Sequence, residues 1–277
     1  MLNIFYINLD DATERRIALE ECLNQFSSSD IQCHRISAYS KEYVEKNKIP
    51  GKIRSGEKGC FLSHQKAIQE ALKYPGNALI LEDDAMLGGE TINVLNHFLP
   101  TIEQKIDILF TDLCVSDVNS MLQLFKLRRS MLGNGILEVL ETKRIEFSGA
   151  TAYILNDGSK QKLLDILDTY NSLDLPYDLF LKSLILQDKL DSGFIFPFVT
   201  RLSPLSSQTQ LQLDSDRLNN IAWDAFRKLM FFETKAIPDD ILWDLDQIPN
   251  DFYDAQAEVF SKILRLILSE NFKTDLY

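Results

Sequence analysis

Three consecutive carboxylates, Glu82-Asp83-Asp84, follow the short apolar run Ala78-Leu79-Ile80-Leu81. In an extended backbone alternate side chains share a face, so Glu82 and Asp84 point the same way and can meet one cation. Hard oxygen donors suit Mg2+ or Mn2+, which in turn bridge the phosphates of a nucleotide. An isolated acidic triplet is more often a solvated loop after a strand. The segment ahead of this one changes its meaning. Gly56-Glu57-Lys58-Gly59-Cys60-Phe61-Leu62-Ser63-His64 opens the preceding helix and falls beside the carboxylates across one βα unit. Ser63 and His64 then lie on a helix whose first turn faces the carboxylates, and the imidazole can bond a phosphate or a sugar hydroxyl.

Positioning such groups requires buried strands with helices between them. Residues 2–9 form an apolar, β-prone run, and Asp11-Ala12-Thr13-Glu14 has capping-box spacing ahead of Ile17, Leu19, Cys22, Leu23 and Phe26. Ser55 is placed to cap a helix over about 57–73, Tyr74-Pro75-Gly76-Asn77 breaks it, and the wholly apolar 78–81 run predicts a strand covered on both faces. Further strands are predicted over about 106–111 and 148–155, the second leading into a helix after Asn156. This alternation predicts a mainly parallel, doubly wound α/β sheet flanked by helices. Ligands of such sheets sit beyond the strands' carboxyl ends, where Asp10, Glu82, Asp83, Asp84 and Asp112 would gather.

After Pro204 the texture changes to helical patterns around 215–232 and 253–272, so the division expected is a catalytic domain over 1–205 and a helical C-terminal region over 206–277. Ala257, Phe260, Ile263, Leu264, Ile267 and Leu268 form a broad apolar stripe. Packing on the main domain or pairing of two chains into a homodimer suits it better than a lipid surface, where peripheral contact at most is expected. Forty-one acidic against 29 basic residues give a net charge of −12, which repels nucleic acid and anionic headgroups. A nucleotide diphosphate remains compatible if a divalent cation gathers it. Cys22, Cys33, Cys60 and Cys114 show no zinc-finger or CxxC spacing and read as reduced thiols. No leader pattern or membrane-length apolar run is present, so a cytoplasmic protein is expected, with the cytoplasmic face of the inner membrane as the place of any lipid contact.

Order and spacing of the motifs carry a resemblance. Ile7-Asn8-Leu9-Asp10 followed by Arg15-Arg16, then Gly56-Glu-x-Gly-Cys-x-Leu-Ser-His64, then Ile80-Leu-Glu-Asp-Asp-Ala85 resemble glycosyltransferase family 25, the bacterial lipooligosaccharide β-galactosyltransferases and collagen galactosyltransferases. Gly149-Ala-Thr-Ala-Tyr-Ile154, Leu175-Pro-Tyr-Asp178 and Phe196-Pro-Phe-Val199 are similar to its later landmarks, and the likeness runs over about 2–205.

The resemblance implies a GT-A-like fold, a UDP-hexose donor (galactose or glucose), a divalent metal, Mn2+ or Mg2+, and inversion at the anomeric carbon. The acceptor it implies is a saccharide or lipid-linked oligosaccharide, as in lipopolysaccharide synthesis. It also implies roles. Asp84 is the main metal ligand, with Glu82 as its partner or as a contact to the donor sugar or ribose, and Asp83 is a third candidate. Asn8, Leu9, Asp10 and Ala38 lie toward the nucleoside, with Arg15 and Arg16 toward the diphosphate. Ser63, His64, Thr151 and Tyr153 complete the substrate set. Asp178 is the base, although Pro176-Tyr177-Asp178 also suits a plain helix start, and Asp112 stands in reserve. Ser37 and Thr151 depart from the aspartate and histidine common at those places. The rival readings are a catalytically degenerate nucleotide-sugar binder on the same fold and, last, a phosphotransferase, for which no Walker A or dinucleotide fingerprint is present.

Overall fold

The computed structural model describes residues 2–26, 31–102, 106–132, 135–208, 223–234 and 255–267. The first half runs β1 (Leu2–Asn8), α1 (Thr13–Asn24), β2 (Ile31–Ser37), α2 (Lys41–Lys46), α3 (Ser55–Ala71), β3 (Asn77–Glu82), β4 (Ala85–Leu87), α4 (Thr91–Phe98) and β5 (Ile108–Phe110). The second half runs β6 (Cys114–Val115), α5 (Val118–Leu132), β7 (Glu138–Glu141), β8 (Phe147–Ser148), β9 (Ala152–Leu155), α6 (Ser159–Asp168), α7 (Tyr177–Leu186), β10 (Ser192–Phe196), β11 (Thr200–Leu202) and α8 (Ala255–Ile267).

Among the described residues seven strands form one sheet in the order β2-β1-β3-β9-β5-β10-β7. Strands β2, β1, β3, β5 and β10 share one direction, while β9 and the edge strand β7 oppose it. The mainly parallel α/β architecture expected from the alternation is the one observed.

The period of two in the buried strands divides the core. Phe5, Ile7, Ala78 and Ile80 enter the cluster that holds Phe61 and Ile68 of α3, Leu163 of α6 and Leu181 of α7. Leu2, Ile4, Tyr6, Leu79 and Leu81 enter the opposite cluster with Leu19 and Leu23 of α1 and Leu95 of α4. Both faces of β1 and β3 are therefore covered, which is why their central residues, Ile4–Ile7 and Ala78–Leu81, are apolar without a break rather than alternating. Because β9 is antiparallel, its first residues meet the last residues of β3 and β5, and the Glu82 amide donates to the Thr151 carbonyl at 2.7 Å.

Local starts differ from the sequence expectation in two places. The capping box at 11–14 does not form. Ala12 stands at the N-cap of α1 without a side-chain bond, because the chain first turns through Ala12 N–H to Leu9 O (3.1 Å). At α3 the N-cap is Arg54, not Ser55, and Glu57 accepts from its backbone amide at 2.8 Å. Strands β2, β7 and β10 extend the sheet beyond the strands predicted.

Of the helix expected over 215–232, residues 223–229 are helical, and 215–222 lie outside the described residues. Trp223, Phe226, Leu229 and Met230 join the first core cluster, and Phe198 bonds both Met230 O (3.0 Å) and the Phe232 amide (2.8 Å). In the C-terminal stripe Leu264 also joins that cluster and Ile263 is half-buried. The side chains at 257, 260 and 267, and residue 268, lie outside the described set. Among the described residues no helix is long and apolar enough to cross a membrane.

Candidate active site at the carboxyl edge of the sheet

The ends of β1 and β3, the start of β9 and the N-terminal half of α3 converge on two adjoining cavities of about 600 and 360 Å3. Glu82, Asp84, Cys60 and Arg54 line both, so the two spaces meet at the carboxylates. The larger is also lined by Asn8, Leu9, Arg15, Ala38, Ser63 and Asp83. The smaller is also lined by Gly149, Thr151, Tyr177, Asp178 and Arg227.

The three carboxylates have three different surroundings. Glu82 Oε1 accepts from His64 Nε2 at 3.0 Å and faces the Cys60 thiol at 3.8 Å. Burial pushes its carboxyl upward, but the His64 bond and the charges of Arg15 and Arg227 outweigh this and leave it below the ordinary value. Asp83 turns toward β1, accepting from Asn8 Nδ2 (2.7 Å) and pairing with Arg15 (3.0 Å). Burial nevertheless leaves its carboxyl raised. Asp84 pairs with the other nitrogen of Arg15 at 2.8 Å, and burial together with the neighbouring Glu82 charge pushes its carboxyl up to about 7.

Among the described residues Asp84 Oδ1 is buried without a hydrogen-bond partner. A buried, unsatisfied carboxylate oxygen beside a second carboxylate is costly alone and is relieved by a cation. The donor set of Asp84 and Glu82, hard oxygens at the junction of the cavities, fits Mg2+ or Mn2+.

His64 is fully buried, with Nδ1 3.1 Å from the Tyr153 hydroxyl and the ring stacked on Tyr177 at 4.1 Å. An ionised Glu82 can only accept, so Nε2 carries a proton toward it, and on the other side of the ring the Tyr153 oxygen lies 2.9 Å from the Tyr177 hydroxyl. Both ring nitrogens are thus engaged within the protein, and Tyr153 stands behind His64 rather than in a cavity. Ser63, also fully buried, bonds the Gly59 carbonyl (2.6 Å) and accepts from the Tyr39 amide (2.8 Å), fixing the loop after β2 against α3.

Four of the predicted site residues line neither cavity: Asp10, Arg16, Asp112 and Tyr153. Asp10 is exposed and bonds Arg35 (2.5 Å) and Ser37 (3.0 Å), contacts that hold its carboxyl below the ordinary value. Asp112 is buried and pairs with Arg227 at 2.6 Å. Burial raises the Asp112 carboxyl despite that partner. Asp178 does face the smaller cavity, with one carboxylate oxygen accepting from the Gly149 amide at 2.8 Å.

Two residues at this edge were not singled out from the sequence. Cys60 stands four residues before His64 on α3, a spacing that puts both on one helix face. Arg227, 115 residues beyond Asp112, had no signal.

No curated protein matches the chain. In structure it is similar to the apo form of the glycosyltransferase GlyE of Streptococcus pneumoniae TIGR4, at 13% identity and a TM-score of 0.38, over 99% of this chain and 63% of that one. It is also similar to apo mouse xyloside xylosyltransferase 1, at 9% identity and a TM-score of 0.31, over 69% of this chain and 64% of that one. The chain thus spans less than two thirds of either. The model described as "Glycosyltransferase family 25 (LPS biosynthesis protein)" matches residues 1–181, the stretch that supplies every carboxylate named above. The chain belongs to glycosyltransferase family 25.

Proposed function

We propose that the chain is an inverting hexosyltransferase that moves galactose or glucose from a UDP-sugar to a saccharide or lipid-linked oligosaccharide acceptor, in lipopolysaccharide or related surface-glycan synthesis. The observation that carries this reading is the meeting of the two cavities at Glu82 and Asp84, which gives donor and acceptor separate spaces with one shared wall. The larger cavity takes the nucleotide against Asn8, Leu9 and Ala38, with Arg15 directed at the diphosphate. The smaller takes the acceptor beside Asp178 and Thr151.

Asp84 and Glu82 would hold a divalent cation, which when bound would neutralise charge on the departing diphosphate. Asp178 accepts the proton of the acceptor hydroxyl as its oxygen bonds to the anomeric carbon and the bond to the UDP oxygen breaks. One displacement from the opposite face inverts that carbon. The Tyr177-Tyr153-His64 chain holds Glu82 in place, and Arg227 with Asp112 braces the acceptor side. In this reading residues 1–205 are the catalytic domain and the 206–277 region supports it, pairs two chains, or touches the cytoplasmic membrane face.

The test is thermal shift and calorimetry of the whole chain against UDP-galactose, UDP-glucose and UDP-N-acetylhexosamines with Mn2+, Mg2+ or chelator. A ligand selective for the native state stabilises it. Metal-dependent stabilisation by one UDP-hexose, followed by UDP release on adding acceptor, is expected. Binding without turnover on any acceptor would leave a nucleotide-sugar binder.

A further inference from the structure

We propose that Cys60, His64 and Glu82 form a binding site for one thiophilic divalent cation of the Zn2+ class, which shares Glu82 with the all-oxygen set at Asp84 and differs from it in its sulfur and nitrogen donors. Each of the three residues offers one ligand atom, and these atoms lie within 4.8 Å of one another. Two come from one face of α3 and the third from the end of β3, so rigid elements hold them.

The distances are those of a site awaiting small adjustment. Tetrahedral zinc with ordinary bond lengths places a nitrogen and an oxygen ligand about 3.4 Å apart, and a sulfur and an oxygen about 3.6 Å apart. Here His64 Nε2 and Glu82 Oε1 are 3.0 Å apart, and Cys60 Sγ and Glu82 Oε1 are 3.8 Å apart. Both separations are within a few tenths of an ångström of those values, and the third pair, Cys60 Sγ and His64 Nε2, lies within 4.8 Å.

The surroundings match what a ligating histidine needs. Its far nitrogen is fixed by the Tyr153 hydroxyl at 3.1 Å, that hydroxyl is bonded to Tyr177, and the ring is clamped on the Tyr177 face. Such an outer partner orients the imidazole and fixes its tautomer. On binding, the Cys60 thiol proton leaves to solvent through the cavity. The imidazole exchanges its Nε2 proton through solvent for one on Nδ1, that N–H donates a hydrogen bond to the Tyr153 oxygen, the Tyr153 hydroxyl turns to donate to the Tyr177 oxygen, and the Tyr177 hydroxyl turns its hydrogen toward the smaller cavity. Cys60 and Glu82 open on both cavities, which leaves the fourth position for water, as in zinc sites with three protein ligands. A sulfur, nitrogen and oxygen set selects Zn2+ or Co2+ over Mg2+.

The site needs no nucleotide or acceptor, so it stands or falls apart from the transferase reading. The experiment titrates the whole, reduced, metal-free chain with Co2+. A thiolate charge-transfer band in the near ultraviolet with tetrahedral visible bands should saturate at one equivalent and vanish on adding Zn2+. Cys60→Ser should lack the charge-transfer band and Cys114→Ser keep it. In the unmodified chain Zn2+ should slow alkylation of Cys60 and leave the exposed Cys33 unaffected. No charge-transfer band in the unmodified chain, the same band in Cys60→Ser, or no protection of Cys60 overturns the proposal.

Discussion

Removing the guanidinium of Arg227 strands a buried charge. In the native fold Arg227 Nε and a terminal nitrogen approach one Asp112 oxygen at 2.7 and 2.6 Å, and the two side chains are 4% and 0% exposed. Breaking such a pair by deleting one partner costs about 3–5 kcal/mol. At about 2–4 °C per kcal/mol for a chain of this size, Arg227→Met should melt roughly 6–20 °C lower at neutral pH.

The pH dependence has a definite sign. Burial holds the Asp112 carboxyl above its ordinary value even with Arg227 opposing, and without Arg227 it rises further. Between the unfolded and the raised folded value the native state binds more protons than the unfolded state, so stability falls as pH rises through that window and levels off above it. The deficit of Arg227→Met is therefore largest at neutral pH and shrinks in acid. Urea melts of the parent, Arg227→Met, Asp112→Leu and the double variant across pH measure it. The double variant, apolar at both positions, should recover most of the loss. A deficit under about 1 kcal/mol, a deficit that grows on acidification, or a double variant no better than Arg227→Met would refute the reasoning.

The carboxyl of Asp84, pushed up to about 7, must lose its proton to hold a cation. Mn2+-dependent UDP-sugar affinity by calorimetry should thus fall about tenfold per pH unit below that value and level off above it, and Asp84→Asn should bind weakly with no such slope. The same slope in Asp84→Asn would remove Asp84 from the metal site. Asp178→Asn should keep donor affinity and lose about 10²–10⁴-fold in transfer, read as acceptor-dependent UDP release; unchanged turnover would assign the base elsewhere. Tyr153→Phe takes a hydrogen-bond partner from His64 Nδ1 and another from Tyr177, a loss of about 1–3 kcal/mol in urea melts. Unaltered stability would mean that this chain of bonds does not hold His64.

How much of this was legible depends on the distance over which each signal acts. Strands β1 and β3 announce themselves because a strand covered on both faces must be apolar at every position, and 2–8 and 78–81 are nearly so. Strand β2 escaped because, at the sheet edge, it is mostly half-buried or exposed and carries polar residues such as Gln32 and Arg35. Strand β9 was readable as a strand but not in direction, since orientation is set by the path through α5 and β7, where periodicity is silent. The capping box at 11–14 failed for a local reason, a turn from Leu9 to Ala12 that precedes the helix.

The site divides the same way. Glu82, Asp83 and Asp84 sit where a parallel strand ends, so their place at the sheet edge follows from the order of elements. Their division of labour does not. Extended geometry would pair Glu82 with Asp84 alone, whereas the turn after β3 sends Asp83 to Asn8 and Arg15. Cys60 was within reach, since its four-residue spacing from His64 places both over the end of β3. Arg227 was not, because only folding brings residue 227 against Asp112, and a lone arginine in an acidic C-terminal stretch looks like any surface charge until its partner is found buried. Arg227 lies beyond the 1–181 stretch matched to the family, so the motifs mark the carboxylates at the end of β3 while the charge paired with Asp112 comes from a part of the chain the motifs do not describe.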